Sequence, residues 1–271
     1  MLKQRVITAV VMALVVFACL VQEDPLWTRL LFTLLLFAAT AELVMLALRA
    51  PAIPATAAAT LFAMLFWWSG SLVTPGLVYW QSLAGVVLWL LISIGLCFYR
   101  HNGNWPLLAR MLLLGIGLDL VWICAHGLIY LQLVYGPLML FYLLSLVWLA
   151  DIGAYFCGKR FGRNKLAPAI SPGKTREGLA GGLLTNVPWM LLVYWYTDGW
   201  GLALVPFLLI GIVTSLVSVV GDLFESVLKR EAGVKDSSRL LPGHGGVLDR
   251  VDSVIAATPI FLCGVVVAGY L

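Results

Sequence analysis

Apolar residues fill this 271-residue chain in blocks of 15 to 23, separated by short stretches that carry proline, glycine or charge. A helix needs about 20 such residues to cross the hydrocarbon core of a bilayer. On that scale the pattern predicts spans over residues 6–22, 27–48, 55–69, 76–98, 107–128, 131–150, 180–197, 202–221 and 251–270. The third is short, and Gly136-Pro137 sits where a kink in the sixth is expected. The expected fold is all-α, a polytopic membrane protein of nine helices built as one integral-membrane domain over residues 1–271. Its first run follows Lys3 and Arg5 and looks like a signal peptide, but only further apolar spans come after it. It therefore reads as an uncleaved first membrane helix.

Composition sharpens this picture. Hydrophobic residues make up 62% of the chain and charged ones only 11%, too few to cover a soluble domain of this length. Placing the N-terminus in the cytoplasm puts 16 of the 17 Lys and Arg residues on the cytoplasmic side, with Arg29 alone outside. The outer connections hold Glu23, Asp24 and Asp198 instead. That asymmetry is what the positive-inside rule requires. The net charge of +4 then reflects topology and attraction to anionic lipid, and no nucleic-acid-binding motif accompanies it. The five cysteines are scattered without a C-x-x-C pair and read as small buried hydrophobes.

Charge is also unevenly divided along the chain. Residues 1–150 read as scaffold helices, while 151–252 hold 11 of the cations and 9 of the 13 acids. The densest stretch, Ser226 to Asp252, has nine charged residues and a histidine in 27 positions. At about 2.5–3.5 kcal/mol per charge at the bilayer centre, burying it in lipid would cost on the order of 25 kcal/mol. It must face water or a protein-lined polar site.

Three polar constellations follow. Between Asp151 and Gly178 run six cations along a glycine- and proline-rich path that ends near a helix start, where Ser171, Lys174, Thr175 and Arg176 are placed to cradle polyphosphate or, alternatively, to anchor an inside loop. Gly173-Lys174-Thr175 is not a P-loop, because Pro168 stands where that motif needs glycine. The glycines that follow, at 178, 181 and 182, suit close helix packing. Farther on, Asp222, Glu225, Ser226 and Lys229 share one helix face. Beyond the Pro242–Gly246 turn, Asp249 and Asp252 open the last helix at i, i+3. The two carboxylate pairs suit either a hard divalent cation with phosphate or salt bridges to neighbours such as Lys229 and Arg250. His244 reads as either a turn hydrogen-bonder or a general acid. Glu42, Asp119 and His126 are polar residues in or beside spans, the two acids open to functional or structural roles and the histidine structural.

From Ser226 to Asp252 the chain resembles the signature of the phosphatidate cytidylyltransferases, or CDP-diacylglycerol synthases, of bacteria: S-x-hydrophobic-K-R-x4-K-D, then P-x-H-G-G, then D-R-hydrophobic-D. Asp151 to Gly162, Ser171 to Thr175 and Gly221 to Ser226 resemble the same family. The resemblance implies transfer of CMP from CTP to phosphatidate, with Mg²⁺, at the cytoplasmic face of the inner membrane, by a homodimer. It implies Asp222 and Asp249 as metal ligands. Lys229, Arg230, Lys235 and Arg250 are then expected to face phosphate, with Ser171, Lys174 and Arg176 completing the site. Asp236, His244 and Asp252 join the catalytic set without assigned roles. A secondary transporter of an anion, or a CTP-using enzyme acting on another lipid, are the alternatives. The transporter fits less well, since polar residues cluster at one face rather than at the midplane.

Overall fold

The computed structural model describes residues 2–22, 24–70, 73–100, 103 and 105–270. The outer-loop acid Glu23 therefore lies outside the described residues. Among them are nine α-helices: α1 (Leu2–Val21), α2 (Pro25–Leu48), α3 (Ala52–Ser69), α4 (Pro75–Phe98), α5 (Leu107–Tyr130), α6 (Pro137–Phe161), α7 (Arg176–Thr197), α8 (Leu204–Ala232) and α9 (Leu248–Val265). Seven are long and apolar enough to cross a membrane. The other two are α1, whose apolar stretch is Val10–Cys19, and α7, which carries Arg176, Glu177 and Asn186.

Local chemistry sets the helix ends. Pro at the first turn costs nothing because its missing N–H has no partner there, and α2, α4 and α6 all start on one. The hydroxyl of Thr74 accepts from Leu77 N–H, and the carboxylate of Asp24 from Leu26 N–H. One expected boundary moves. The fifth helix does not stop near residue 128. It runs on through a π-helical turn, Leu131–Tyr135, and breaks at Gly136, whose φ of 84° suits glycine. Thus Gly136-Pro137 divides two helices rather than kinking one, and α6 continues to Phe161. Likewise α8 extends eleven residues past the expected end of its span, to Ala232.

The path between α6 and α7 holds a feature that hydropathy does not show. Lys165–Ala167 and Ser171–Thr175 pair as an antiparallel hairpin, β1 and β2. It is anchored by Glu177, which accepts from the backbone of Arg163 and Asn164 and from the Asn164 amide. Hydrogen bonds from its own N–H and from those two hold the Glu177 carboxyl down to about 2. The core draws on every helix from α2 to α9, with Leu43, Trp89, Leu120, Leu143 and Phe261 essentially inaccessible. The five cysteines are free thiols, but of the five expected to be buried only Cys124 is, while Cys97 is exposed and Cys19, Cys157 and Cys263 are half-buried.

Helices α6 and α7 pack along their lengths because glycine faces them. A Cβ at Gly182 would stand 2.5 Å from the Ala150 carbonyl oxygen, and one at Gly181 would collide with Cys157. In a membrane, where lipid is as apolar as leucine, such close approach supplies the packing. Gly182→Ala is expected to lower stability by roughly 1–3 kcal/mol through overpacking, read as an earlier melt in detergent. Gly115→Ala, whose new methyl meets nothing within 4 Å, should melt no earlier than the parent.

Candidate active site

One glycine lets the site's helices come together. At Gly221 a Cβ would strike the backbone oxygen of Asp252, so α8 and α9 approach closely where their acids begin. From there α8 presents Asp222, Glu225, Ser226 and Lys229 on one face, as their spacing requires. Ser226 donates to Asp222 at 3.2 Å, one turn back. Lys229 reaches Glu225 at 2.5 Å, also one turn back, and Asp249 of α9 at 2.6 Å. This triad is desolvated: the side chains of Lys229, Glu225 and Asp249 are 11%, 3% and 6% exposed.

Asp249 is held on all sides. Its Oδ1 meets the Lys229 ammonium, while Oδ2 accepts from Ser237 N–H at 2.9 Å, the Ser237 hydroxyl at 2.8 Å and Gly246 N–H at 2.8 Å. Asp222 is different. It is a third exposed, and its partners are the Ser226 hydroxyl and the Lys174 ammonium at 2.7 Å. Lys174 belongs to β2, so this ion pair joins the two polar segments that lie some fifty residues apart in the chain. Asp151 of α6, Asp222 and Asp252 repel one another across the same gap, with Lys174 and Arg250 acting against that repulsion.

The other expected residues lie at its rim. Arg230 donates to the Ile170 carbonyl at 3.2 Å and so ties α8 to the hairpin. Arg250 folds back to the His244 carbonyl, at 3.1 Å from Nε and 2.8 Å from Nη2. Nδ1 of His244 is buried without a partner. Lys235 and Asp236 are exposed on the loop between α8 and α9, Ser171 is half-buried in β2, and Arg176 is exposed at the first position of α7.

The chain lies within a known family over nearly all its length. The model of the cytidylyltransferase family matches residues 3–267. The chain belongs to that family. It is 39% identical to a phosphatidate cytidylyltransferase of Pseudomonas aeruginosa over 297 aligned positions, covering 100% of this chain and 99% of the relative. Identity to the phosphatidate cytidylyltransferase of Haemophilus influenzae is 36% over 287 positions, covering 96% and 97%. A phosphatidate cytidylyltransferase of Brucella suis is 46% identical over 138 positions, about half of each chain. Family membership makes the chain a nucleotidyltransferase, and the transporter reading falls.

Several partnerships of this network are not legible in the sequence. The start of α7, expected either to cradle polyphosphate or to anchor an inside loop, is capped by Thr175, which accepts from Gly178 N–H at 3.1 Å. Glu225, in one of the carboxylate pairs that suit a divalent cation or a salt bridge, pairs with Lys229, and Ser237, for which the sequence carries no signal, binds Asp249. Glu42 accepts four hydrogen bonds from the loop before α9. An acid standing alone between Arg29 and Arg49 in an apolar run was the available signal.

The two lysines are predicted to differ in what they hold. Lys229→Met leaves two buried carboxylates unpaired and is expected to cost roughly 3–5 kcal/mol. Lys174→Met breaks a pair that is a quarter to a third exposed and should cost no more than about 1 kcal/mol. Melting in detergent beside a turnover assay checks both: Lys174→Met should keep its fold and lose activity.

Proposed function

We propose that the protein transfers the cytidylyl group of CTP to phosphatidate, giving CDP-diacylglycerol and pyrophosphate, with Mg²⁺, at the cytoplasmic face of a bacterial inner membrane. The observation that carries the reading is the Lys174–Asp222 pair, which joins the hairpin's cations to the acids of α8 and α9. Both substrates are anions, so the obstacle is bringing them together rather than activating a nucleophile. A phosphatidate oxygen attacks the α-phosphorus of CTP. The bond from that phosphorus to the α,β-bridging oxygen breaks, and pyrophosphate leaves with the electron pair.

The donor set suits Mg²⁺. Each expected ligand, Asp222 and Asp249, is met by a lysine ammonium, so both positions attract positive charge. Glu225 Oε1 beside them is a buried carboxylate oxygen without a donor. Among the described residues no three His, Cys, Asp or Glu side chains could hold a metal by themselves. That accords with an ion that takes one or two carboxylates and fills its shell with phosphate and water oxygens. Asp222 and Asp249 would hold it, and it would neutralise charge on the reacting phosphates. Lys174 and Lys229 then stand within reach of the same phosphates. Arg230 and Arg250, at the rim, add positive charge for the departing pyrophosphate, with Lys235, Ser171 and Arg176 beyond them.

The lipid's tails are proposed to stay in the bilayer. An apolar groove between α4, α8 and α9, lined by Leu90, Val213 and Ile260 among others, shares Trp89 with the cleft that reaches Glu225 and Asp252. A homodimer belongs to the same reading, on resemblance alone.

Purified protein given labelled CTP, phosphatidate and Mg²⁺ should form CDP-diacylglycerol and pyrophosphate, and well-folded protein without product would sink the proposal. EDTA should stop turnover and excess Mg²⁺ restore it. Asp222→Asn and Asp249→Asn should each abolish turnover without loss of expression, and normal activity in either would refute the metal assignment. Cysteines placed at positions 165 and 235 should react only from the cytoplasmic side.

A further inference from the structure

Glu42 lies in α2, six residues and about 9 Å before the end of that helix. It is 2% exposed. Its Oε1 accepts from the Ser238 hydroxyl at 2.7 Å and from Val247 N–H at 2.9 Å. Its Oε2 accepts from the Ser237 hydroxyl at 2.8 Å and from Leu248 N–H at 2.7 Å. All four donors lie about 200 residues away, in the loop before α9 and in the first turn of that helix. The first N–H groups of a helix lack partners of their own, and a negative charge is favoured there. Glu42 supplies both from inside the bundle.

The clamp reaches the reacting site in a single step. The Ser237 hydroxyl stands 2.8 Å from an oxygen of Glu42 and 2.8 Å from an oxygen of Asp249, and its one proton serves one of them at a time. Asp249 in turn meets Lys229. Gly246 keeps the arrangement tight, since a Cβ there would collide with the Ser237 hydroxyl and the Glu42 carboxylate. A merely space-filling role for position 42 would not require every lone-pair direction to be matched to a donor from one loop.

We propose that Glu42 is a positioning residue for the reaction: it pins the Ser237–Leu248 segment from within the membrane helices and so fixes where Asp249 and Lys229 stand. This rests on the proposal that Asp249 belongs to the reacting site. Glu42→Gln keeps the volume but puts an amide NH₂ where two donors point, removing about half of the clamp.

The loop carries its own probe, because Lys235 and Arg239 are exposed and cleavable by trypsin. In full-length Glu42→Gln in detergent, cleavage at these two sites should accelerate by roughly tenfold or more as the segment opens locally. Cleavage between Lys159 and Lys165, and the melting temperature, should change little. Turnover should fall about 10- to 100-fold in kcat, the cost of a small misplacement, with KM for CTP and phosphatidate within about threefold. Ser237→Ala removes the link to Asp249 while Ser238, Val247 and Leu248 still hold Glu42. It should lower kcat by about fivefold or more with loop cleavage near the parent rate.

Unchanged loop cleavage in Glu42→Gln overturns the proposal, and so does faster cleavage with parental kcat. Should Glu42→Gln fail to fold, Ser237→Ala decides, and parental kcat in that variant overturns the proposal. If the parent protein itself makes no CDP-diacylglycerol, the functional reading fails, while the trypsin comparison still tests whether Glu42 holds the loop.

Discussion

One lysine ammonium between two buried carboxylates is the interaction on which the rest of this architecture depends. Glu225, Lys229 and Asp249 are almost wholly removed from water, and taking charges out of water costs several kcal/mol per ion after relaxation. Such a cluster is stabilised when its remaining lone pairs are met, as those of Asp249 are, although Glu225 Oε1 has no donor. That stabilisation explains why Ser237 and Gly246 turn their N–H groups onto Asp249. It also explains the length of α8, since a helix ending at residue 221 would carry neither Glu225 nor Lys229. The loop before α9 is folded around a charge it must satisfy.

Helix N-termini are ready sites for phosphate when their N–H groups are free. Here they are taken: Thr175 caps α7, and Glu42 with Asp249 takes Gly246, Val247 and Leu248 at the start of α9. On the proposed function, polyphosphate would then be met by side chains rather than by these helix ends. The cations proposed for it are Lys174 on the hairpin, Lys229 on α8, and Arg230 and Arg250 at the rim. Arg230 and Arg250 are themselves steadied by carbonyl groups, of Ile170 and His244.

What the sequence made legible was whatever depends on near neighbours. Hydropathy located the helices, because a membrane span announces itself over about 20 residues. Helical spacing put Asp222, Glu225, Ser226 and Lys229 on one face, and the bonds one turn apart follow from it. The helix boundary at Gly136 was misplaced because Leu131 to Tyr135 are apolar enough to read either way, and the positive φ that ends the helix is a conformational fact. The hairpin of Ser171–Thr175 was hidden by its brevity and by its Pro-Gly content. Pairings across the fold, Lys174 with Asp222 and Glu42 with the distant loop, were illegible because nothing local selects one partner over another. Only the presence of an acid in an apolar helix hinted that some partner existed.

The length of α8 also reconciles two demands that a lipid-modifying enzyme faces. Its 29 residues rise about 43 Å, against roughly 30 Å for a hydrocarbon core, so the helix outruns the apolar layer by about two turns. Its earlier part, at Val213 and Val217, lines the apolar groove. Its last turns carry Asp222, Glu225 and Lys229, where polar surroundings reduce the cost of charge. One rigid element thus spans from the lipid-facing groove to the charged cluster, with Trp89 of α4 lining both the groove and the inner cleft. On the proposed function, a lipid whose tails sit in the groove would meet the acids and lysines with its polar end. No loop would need to carry it across the interface, because the distance between its two environments is already built into the helix.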